Sequence, residues 1–342
     1  MANKKDIVWG VIGGGRVCEK KSMPAMQIIP HSRVKTVMRR DESAGRDFIL
    51  RHGIPNYTNS AANIFEDTEI NAVYIATPPD SHAAYTIAAA AAGKAIYVEK
   101  PMARNHNECR AMIRACKRYN VPLFVAYYRR ALPHFLRVRE LLENKAIGKI
   151  CSVRITFSRP PYREDMEAPE KNWRVLPQIS GGGHFHDLAS HQLDLMDFLF
   201  GPVVKVYSVA ENRAGLYGPA DTLAVVFSFE NGVSGCGSWC FVSPPEEEKD
   251  EISILGTNGS LHFSTFAHAC VHGISDNLGI IREEHVLPAH IQEPLIKTIV
   301  SELRGEGYCP SRGETAARTS RVLDRICYGN GKQGPLIKGE TV

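Results

Sequence analysis

A chain of 342 residues exceeds the usual size of one domain, so two domains, each with a core of its own, are expected. With 44% hydrophobic and 23% charged residues and a formal charge of +4, the composition speaks against a disordered chain, a membrane protein or a dedicated nucleic-acid binder, and for a small-molecule partner. Nine scattered cysteines without a CxxC pair, and an N-terminus (MANKKDIVWGVIGGG) without the apolar stretch of a signal peptide, point to the cytoplasm.

The first third alternates short apolar runs with helical patterns, the sequence form of βαβ units around a parallel sheet. Ile7 to Ile12, Val34 to Met38, Ala72 to Ala76, Ala95 to Val98 and Leu123 to Ala126 are near-continuous apolar runs, as strands buried on both faces require. Pro24 falls inside the first helical pattern and should bend or restart that helix. Ser81 is placed to cap the Ala-rich helix that stops at Gly93, and Asn105 with Glu108 resembles a capping box. The run His82 to Gly93 is too short to span a bilayer. A long helix is expected over Asp187 to Leu199, ending at Gly201-Pro202. From about Cys151 the texture is β-rich: Cys151 to Ser158, Val203 to Ala210, Thr222 to Phe229, Val233 to Phe241, Glu251 to Leu255 and Ser260 to Ser264, with turn signals at Glu230-Asn231-Gly232 and Thr257-Asn258-Gly259. The expectation is a doubly wound α/β Rossmann domain over residues 1–125, followed by an α+β domain over 126–342 with a large, mostly antiparallel open sheet.

Gly13-Gly14-Gly15-Arg16-Val17-Cys18 follows the first strand and opens the first helix. Gly13 and Gly15 fill the first two glycine positions of a G-x-G-x-x-G/A dinucleotide fingerprint, for the tight turn and for backbone approach to a pyrophosphate; Cys18 departs from the third. At the end of the second strand, where an NAD site offers an acid to the ribose, the sequence reads Met38-Arg39-Arg40-Asp41. A guanidinium at Arg39, with Arg40 beside it, favours NADP through bidentate contact with a 2′-phosphate. The alternative leaves the arginines solvated and gives Asp41 the ribose of NAD.

Val98-Glu99-Lys100-Pro101 at a strand end and Gly181-Gly182-Gly183-His184-Phe185-His186-Asp187-Leu188-Ala189-Ser190-His191 later resemble the glucose-fructose oxidoreductase/inositol dehydrogenase/rhizopine catabolism (Gfo/Idh/MocA) family. Ala76-Thr77-Pro78-Pro79-Asp80-Ser81-His82, Tyr128-Arg129-Arg130, Ala146-Ile147-Gly148-Lys149, Trp173-Arg174 and Gly256-Thr257-Asn258-Gly259-Ser260 fall in family order, so the resemblance spans nearly the whole chain. It implies hydride transfer between a nicotinamide cofactor and a hydroxyl or keto group of a sugar, cyclitol or related polyol. It implies that the glycine loop, Thr77, Pro78, Pro79, His82, Glu99, Lys100, Arg129 and Trp173 line the cofactor. It implies Lys100, Asp187 and His191 as the catalytic set, and Tyr128, Trp173, Arg174, His184 and His186 are expected around the substrate. The chemistry fits these types: an imidazole near neutrality can take the hydroxyl proton, a carboxylate four residues earlier shares its helix face, and a lysine at a strand's carboxyl end can steady alkoxide character.

Alternate residues of an extended HFH segment would point one way, but the family chemistry needs no metal and none is expected at His184 and His186. A bilin or diol reductase, a glycosidase using transient oxidation by NAD, and a non-catalytic dinucleotide-binding sensor are the rival readings on the same fold. The family's open sheet also implies a homodimer or homotetramer; neither nucleic acid nor membrane is an expected partner.

Overall fold

The computed structural model describes residues 5–329; residues 1–4 and 330–342 of the two expected domains lie outside the described residues. The chain divides into two units. One takes the chain up to Ala103, then Asn107–Leu132 and Pro288–Ala317; the other takes Arg104–His106, Pro133–Leu287 and the chain from Arg318 onward.

The first unit is a six-stranded parallel sheet of β1 (Ile7–Ile12), β2 (Ser32–Met38), β3 (Asn56–Thr58), β4 (Ala72–Ile75), β5 (Ala95–Val98) and β6 (Leu123–Val125), in the order β3-β2-β1-β4-β5-β6. Strands β1, β4, β5 and β6 are buried at every position, which is why they read as unbroken apolar runs. The short, polar β3 gives no such signal and was not expected. The first helical pattern is interrupted as Pro24 requires: residues Cys18–Ser22 form a π-helical turn, and an α-helix restarts at Met23–Ile28 with the proline in its first turn. Gly93, at φ 70°, ends the Ala-rich His82–Ala91 helix as expected. Ser81 does not cap it. A 3₁₀ turn over Pro79–Ser81 puts Ser81 in a helical conformation, and its hydroxyl turns back to Thr77 Oγ1 (2.6 Å).

The segment Pro288–Ala317 returns to this unit. Val125 N–H donates to Ser311 O (3.1 Å), Ser311 Oγ donates to Val125 O (2.7 Å), and Phe124 and Arg312 form an antiparallel bridge, so the β6 edge is covered. Ala316 and Ala317 join the core with Val98, Val125 and Met112.

Among the described residues the second unit carries eight strands, β7 (Ile150–Ser158), β8 (Val203–Glu211), β9 (Thr222–Phe229), β10 (Ser234–Cys240), β11 (Lys249–Gly256), β12 (Gly259–Phe263), β13 (Cys270–Ser275) and β14 (Gly279–Glu284), in the order β14-β13-β12-β11-β7-β10-β9-β8. All neighbours are antiparallel except β7 and β10. One register row, Val206–Phe227–Gly235–Val153–Ile254–Leu261–Gly273–Ile281, faces the core. The adjacent row, Tyr207–Val226–Cys236–Arg154–Ser253–His262–His272–Arg282, forms the other face, where Tyr207 and Val226 are well exposed. The period-two alternation thus gives one covered and one open face.

Candidate active site

In the first unit the expected cofactor residues collect at the carboxyl ends of parallel strands, where the order reverses between β1 and β4. Gly13 has φ 97°, and a Cβ there would lie 2.8 Å from Ala76 O at the crest of the neighbouring strand, so only glycine closes this turn. Gly15 is exposed and a Cβ on it would meet nothing within 4 Å, so the loop presents bare backbone outward. That arrangement fits a pyrophosphate against the loop, with Arg16 exposed and Val17 half-buried beside it. Arg39 lies half-buried against the loop: a Cβ on Gly14 would meet its Cδ at 2.9 Å, and its guanidinium sits over Phe48 (5.6 Å) with Nη1 donating to Ala44 O (3.3 Å). Arg40 is exposed. Asp41 is occupied as a helix cap, its carboxylate accepting from Ala44 N–H (2.8 Å).

Thr77 and Pro78 are half-buried and Pro79 is buried, just beyond β4; Glu99 (buried) and Lys100 (half-buried) follow β5, and the Lys100–Pro101 peptide is cis. His82 is fully buried with Nε2 2.8 Å from Thr77 O and Nδ1 3.2 Å from both Pro101 O and Met102 O, so its ring braces the two turns. Burial holds this imidazole below its ordinary pKa against those carbonyls. The Glu99 carboxylate also points inward, accepting from Tyr74 OH (2.7 Å), Gln292 Nε2 (2.7 Å) and Lys100 N–H (3.2 Å). Tyr128 and Arg129 are buried after β6, with the Arg129 guanidinium over the phenol ring (4.9 Å); burial raises the Tyr128 pKa, but Arg129, Lys21 and Lys100 outweigh it and leave it below the ordinary value.

In the second unit Asp187 and His191 lie on one continuous helical run, a π-helical turn over Phe185–Ala189 followed by an α-helix over Ser190–Phe200. This run matches the helix expected over Asp187 to Leu199 and begins two residues earlier. Among the described residues, the two π-helical turns fall beside the glycine loop and at Asp187, both at the start of motif-bearing helices. The helix is held along its length: Trp239 Nε1 donates to Gln192 Oε1 (2.6 Å), Thr319 Oγ1 to Asp194 Oδ1 (3.3 Å), and Arg318 grips Asp197 with two 2.7 Å hydrogen bonds. Arg174, on a 3₁₀ turn with Trp173, lies over the Trp173 ring (4.5 Å) and donates from Nε to Asp187 Oδ2 (3.2 Å). His191 is buried with its ring edge-on to Phe266 (5.8 Å).

The HFH segment is helical rather than extended, so its two histidines diverge. His184 Nε2 is 2.7 Å from Asp165 Oδ2, both side chains essentially inaccessible. Burial alone would raise the Asp165 carboxyl, but His184, Tyr162 N–H and Asn172 Nδ2 together hold it below its usual range. His186 points to Cys327 (Nδ1 to Sγ 3.9 Å) and Asp324 (Nε2 to Oδ1 3.8 Å); burial pushes its pKa down, and these two groups more than offset that, taking it up to about 9. Gly181, at φ 90°, is confined by Arg104 O, only 2.2 Å from where a Cβ would sit. Among the described residues no group of three His, Cys, Asp or Glu side chains is placed to hold a metal ion, and no helix is long and apolar enough to cross a membrane. Asp165, Asp324 and Gln292 were not singled out in the sequence: they belong to no motif, and their partners lie 19, 138 and 193 residues away.

The sequence profile of the oxidoreductase family NAD-binding Rossmann fold matches residues 7–127, and that of the GFO/IDH/MocA C-terminal domain matches residues 135–262. The chain belongs to the GFO/IDH/MocA oxidoreductase family. An oxidoreductase of Formosa agariphila, P35, is 40% identical over 324 residues, 94% of this chain and 98% of its own. Levoglucosan dehydrogenase of Pseudarthrobacter phenanthrenivorans is 32% identical over 280 residues, 76% of this chain and 67% of its own. A solved levoglucosan dehydrogenase in complex with NADH and levoglucosan superposes with a TM-score of 0.85 at 24% identity, over 97% of this chain and 100% of that one, which shows a shared fold. The chain is therefore an NAD-binding dehydrogenase or reductase of this family, with a doubly wound parallel sheet and a large, mostly antiparallel one.

Proposed function

We propose that this GFO/IDH/MocA protein oxidises a secondary hydroxyl of a sugar, cyclitol or anhydrosugar, with Lys100, Asp187 and His191 as the catalytic set. The observation that carries the reading is the helix bearing Asp187 and His191, four residues apart, clamped by Gln192, Asp194 and Asp197 and met at Asp187 by Arg174. The levoglucosan dehydrogenase among the relatives supports this substrate class.

His191 takes the hydroxyl proton and passes it to solvent, Asp187 orients the hydroxyl or the imidazole, and the Lys100 ammonium steadies the developing alkoxide. The nicotinamide cofactor supplies the hydride acceptor, so the alcohol becomes a ketone as one hydride and one proton leave. Gly13 to Val17, Thr77, Pro78, Pro79, Glu99 and Arg129 form the cofactor side, with His82 acting through the turns it braces. Tyr128, Trp173, Arg174, His184 and His186 shape the substrate side, the last two through the packing of the helical turn that carries Asp187.

Substitution of Lys100 by Met or His191 by Asn should lower kcat by roughly 10²–10⁴-fold, with the cofactor Kd measured by calorimetry little changed. Full turnover in both variants overturns the assignment.

Arg39, beside the glycine loop, and exposed Arg40 support NADP over NAD, since Asp41 is committed to its helix. Arg39→Ala should weaken NADP more than NAD in calorimetry; an equal effect, or a native preference for NAD, removes the 2′-phosphate contact. We also read the open face of the second sheet, with Tyr207, Val209 and Val226 at 69%, 61% and 56% exposure, as a homodimer or homotetramer contact. Val226→Glu should reduce the sedimentation mass; a wild-type protein that sediments as a monomer refutes this contact.

A further inference from the structure

We propose that Gln292 is a positioning residue for the Lys100 turn: it holds the Glu99 carboxylate in place and, through it, the backbone from which Lys100 works. The inference rests on the catalytic reading of Lys100 and adds a residue that no motif contains.

Gln292 enters from the segment that returns to the first unit. It occupies the N-cap position of the helix Glu293–Leu303, yet its side chain makes no capping hydrogen bond. Instead it turns inward and is wholly buried. Its Oε1 accepts from Tyr97 OH (2.7 Å) and its Nε2 donates to Glu99 Oε1 (2.7 Å), while its own N–H reaches Lys21 O (3.3 Å) beside the glycine-loop helix. An amide is the group that can accept on one side and donate on the other, which this place demands.

Tyr74 supplies the second donor to Glu99 Oε1 (2.7 Å) and itself accepts from Ser22 Oγ (2.9 Å); Lys100 N–H supplies a donor to Oε2 (3.2 Å). The hydrogen-bond partners of the carboxylate are thus all donors, and both of its oxygens accept. Tyr74 and Tyr97 lie stacked with centroids 5.0 Å apart and Trp9 edge-on to Tyr97 (6.5 Å), so the donors have little freedom to move. The result is a carboxyl group fixed against the Lys100 peptide N–H, held by residues of β4, β5 and the returning segment.

Two variants separate this role from simple packing. Gln292→Leu withdraws the donor from Glu99 and should lower kcat by roughly 10–100-fold, the scale expected when a reacting group is misplaced, with circular dichroism of the folded protein retained. Gln292→Glu puts a second carboxyl against Glu99; the pair then retains a proton, and the acid limb of the kcat–pH profile should rise by about one unit or more. Amide exchange read by mass spectrometry over residues 97–103 supplies a readout that needs no turnover: the Lys100 amide should exchange faster in both variants than in wild type.

Wild-type kcat and pH profile in both variants overturn the proposal, whether or not exchange or thermal stability changes. Lys100→Met is measured alongside. If it keeps its activity, the catalytic reading of Lys100 fails while the exchange data still report on Gln292. If it is inactive and the Gln292 variants match wild type, the positioning role alone fails.

Discussion

Arg174 Nε lies 3.2 Å from Asp187 Oδ2 while its guanidinium covers the Trp173 ring at 4.5 Å, so one side chain fixes both the carboxylate and the aromatic plane. Lysine can supply the charge but neither the planar stack nor the fork. Arg174→Lys should lower kcat/KM by about tenfold, a loss of about 1.4 kcal/mol in transition-state binding. Because the pair is partly open to water its worth to stability is about 0–1 kcal/mol, so Tm should hardly move. Unchanged steady-state kinetics would show that the pair is incidental.

The two loop glycines should respond differently to alanine. Gly13 is at positive φ with Ala76 O in the way, so Gly13→Ala should cost about 1–3 kcal/mol of stability and cofactor binding as well. Gly15 has open space, so Gly15→Ala should leave the apoprotein Tm unchanged while abolishing most of the rise in Tm on adding cofactor. Thermal melts with and without cofactor check both, and equal behaviour of the two variants contradicts the loop geometry.

His186 should give the protein an alkaline weakness. Its pKa in the folded chain is about 9, above that of an unfolded histidine. The protonated ring therefore contributes stability that is complete below about pH 6.5 and is lost as pH climbs through the folded value. Urea midpoints should fall from pH 7 to pH 10, and His186→Gln should flatten that fall; a slope unaltered by the substitution would assign it elsewhere.

Asp165 behaves in the opposite sense. Its carboxyl is held below the usual range, so its contribution is present above about pH 4 and disappears as pH drops through the folded value. Asp165→Ala leaves the buried His184 Nε2 without its 2.7 Å partner and should cost about 1–3 kcal/mol, seen as a lower urea midpoint at pH 7. A loss below 1 kcal/mol would mean that solvent reaches the pair.

What the sequence disclosed follows from what was local in it. Both-face burial wrote β1, β4, β5 and β6 as apolar runs, Pro24 announced the restart of the first helix, and the long helix after the triple glycine was visible with its stop at Gly201. Strands β13 and β14 went unseen because their outer residues, His272, Arg282 and Ile280 among them, do not sustain a clean alternation. An HFH triplet in a strand would point both rings one way; here a helical turn sends them to separate acids, Asp165 for His184 and Asp324 for His186. The residues proposed for catalysis sit in contiguous motifs, which a sequence displays directly. The residues that hold them, Gln292 for Glu99 and Arg318 for the helix of His191, come from far along the chain, where only the folded backbone brings them near.

The return of Pro288–Ala317 to the first unit sets a schedule for making the protein. Ser311 has to leave the ribosome before the β6 edge can be closed, and Gln292 before the Glu99 carboxylate has its full set of donors. The unit whose strands are made before those of the other is thus completed only after residues 133–287 have been made, and a nascent chain stalled after residue 287 carries the parallel sheet with an open edge. Chaperone demand, protease sensitivity and any attempt to express the first half alone all inherit that delay.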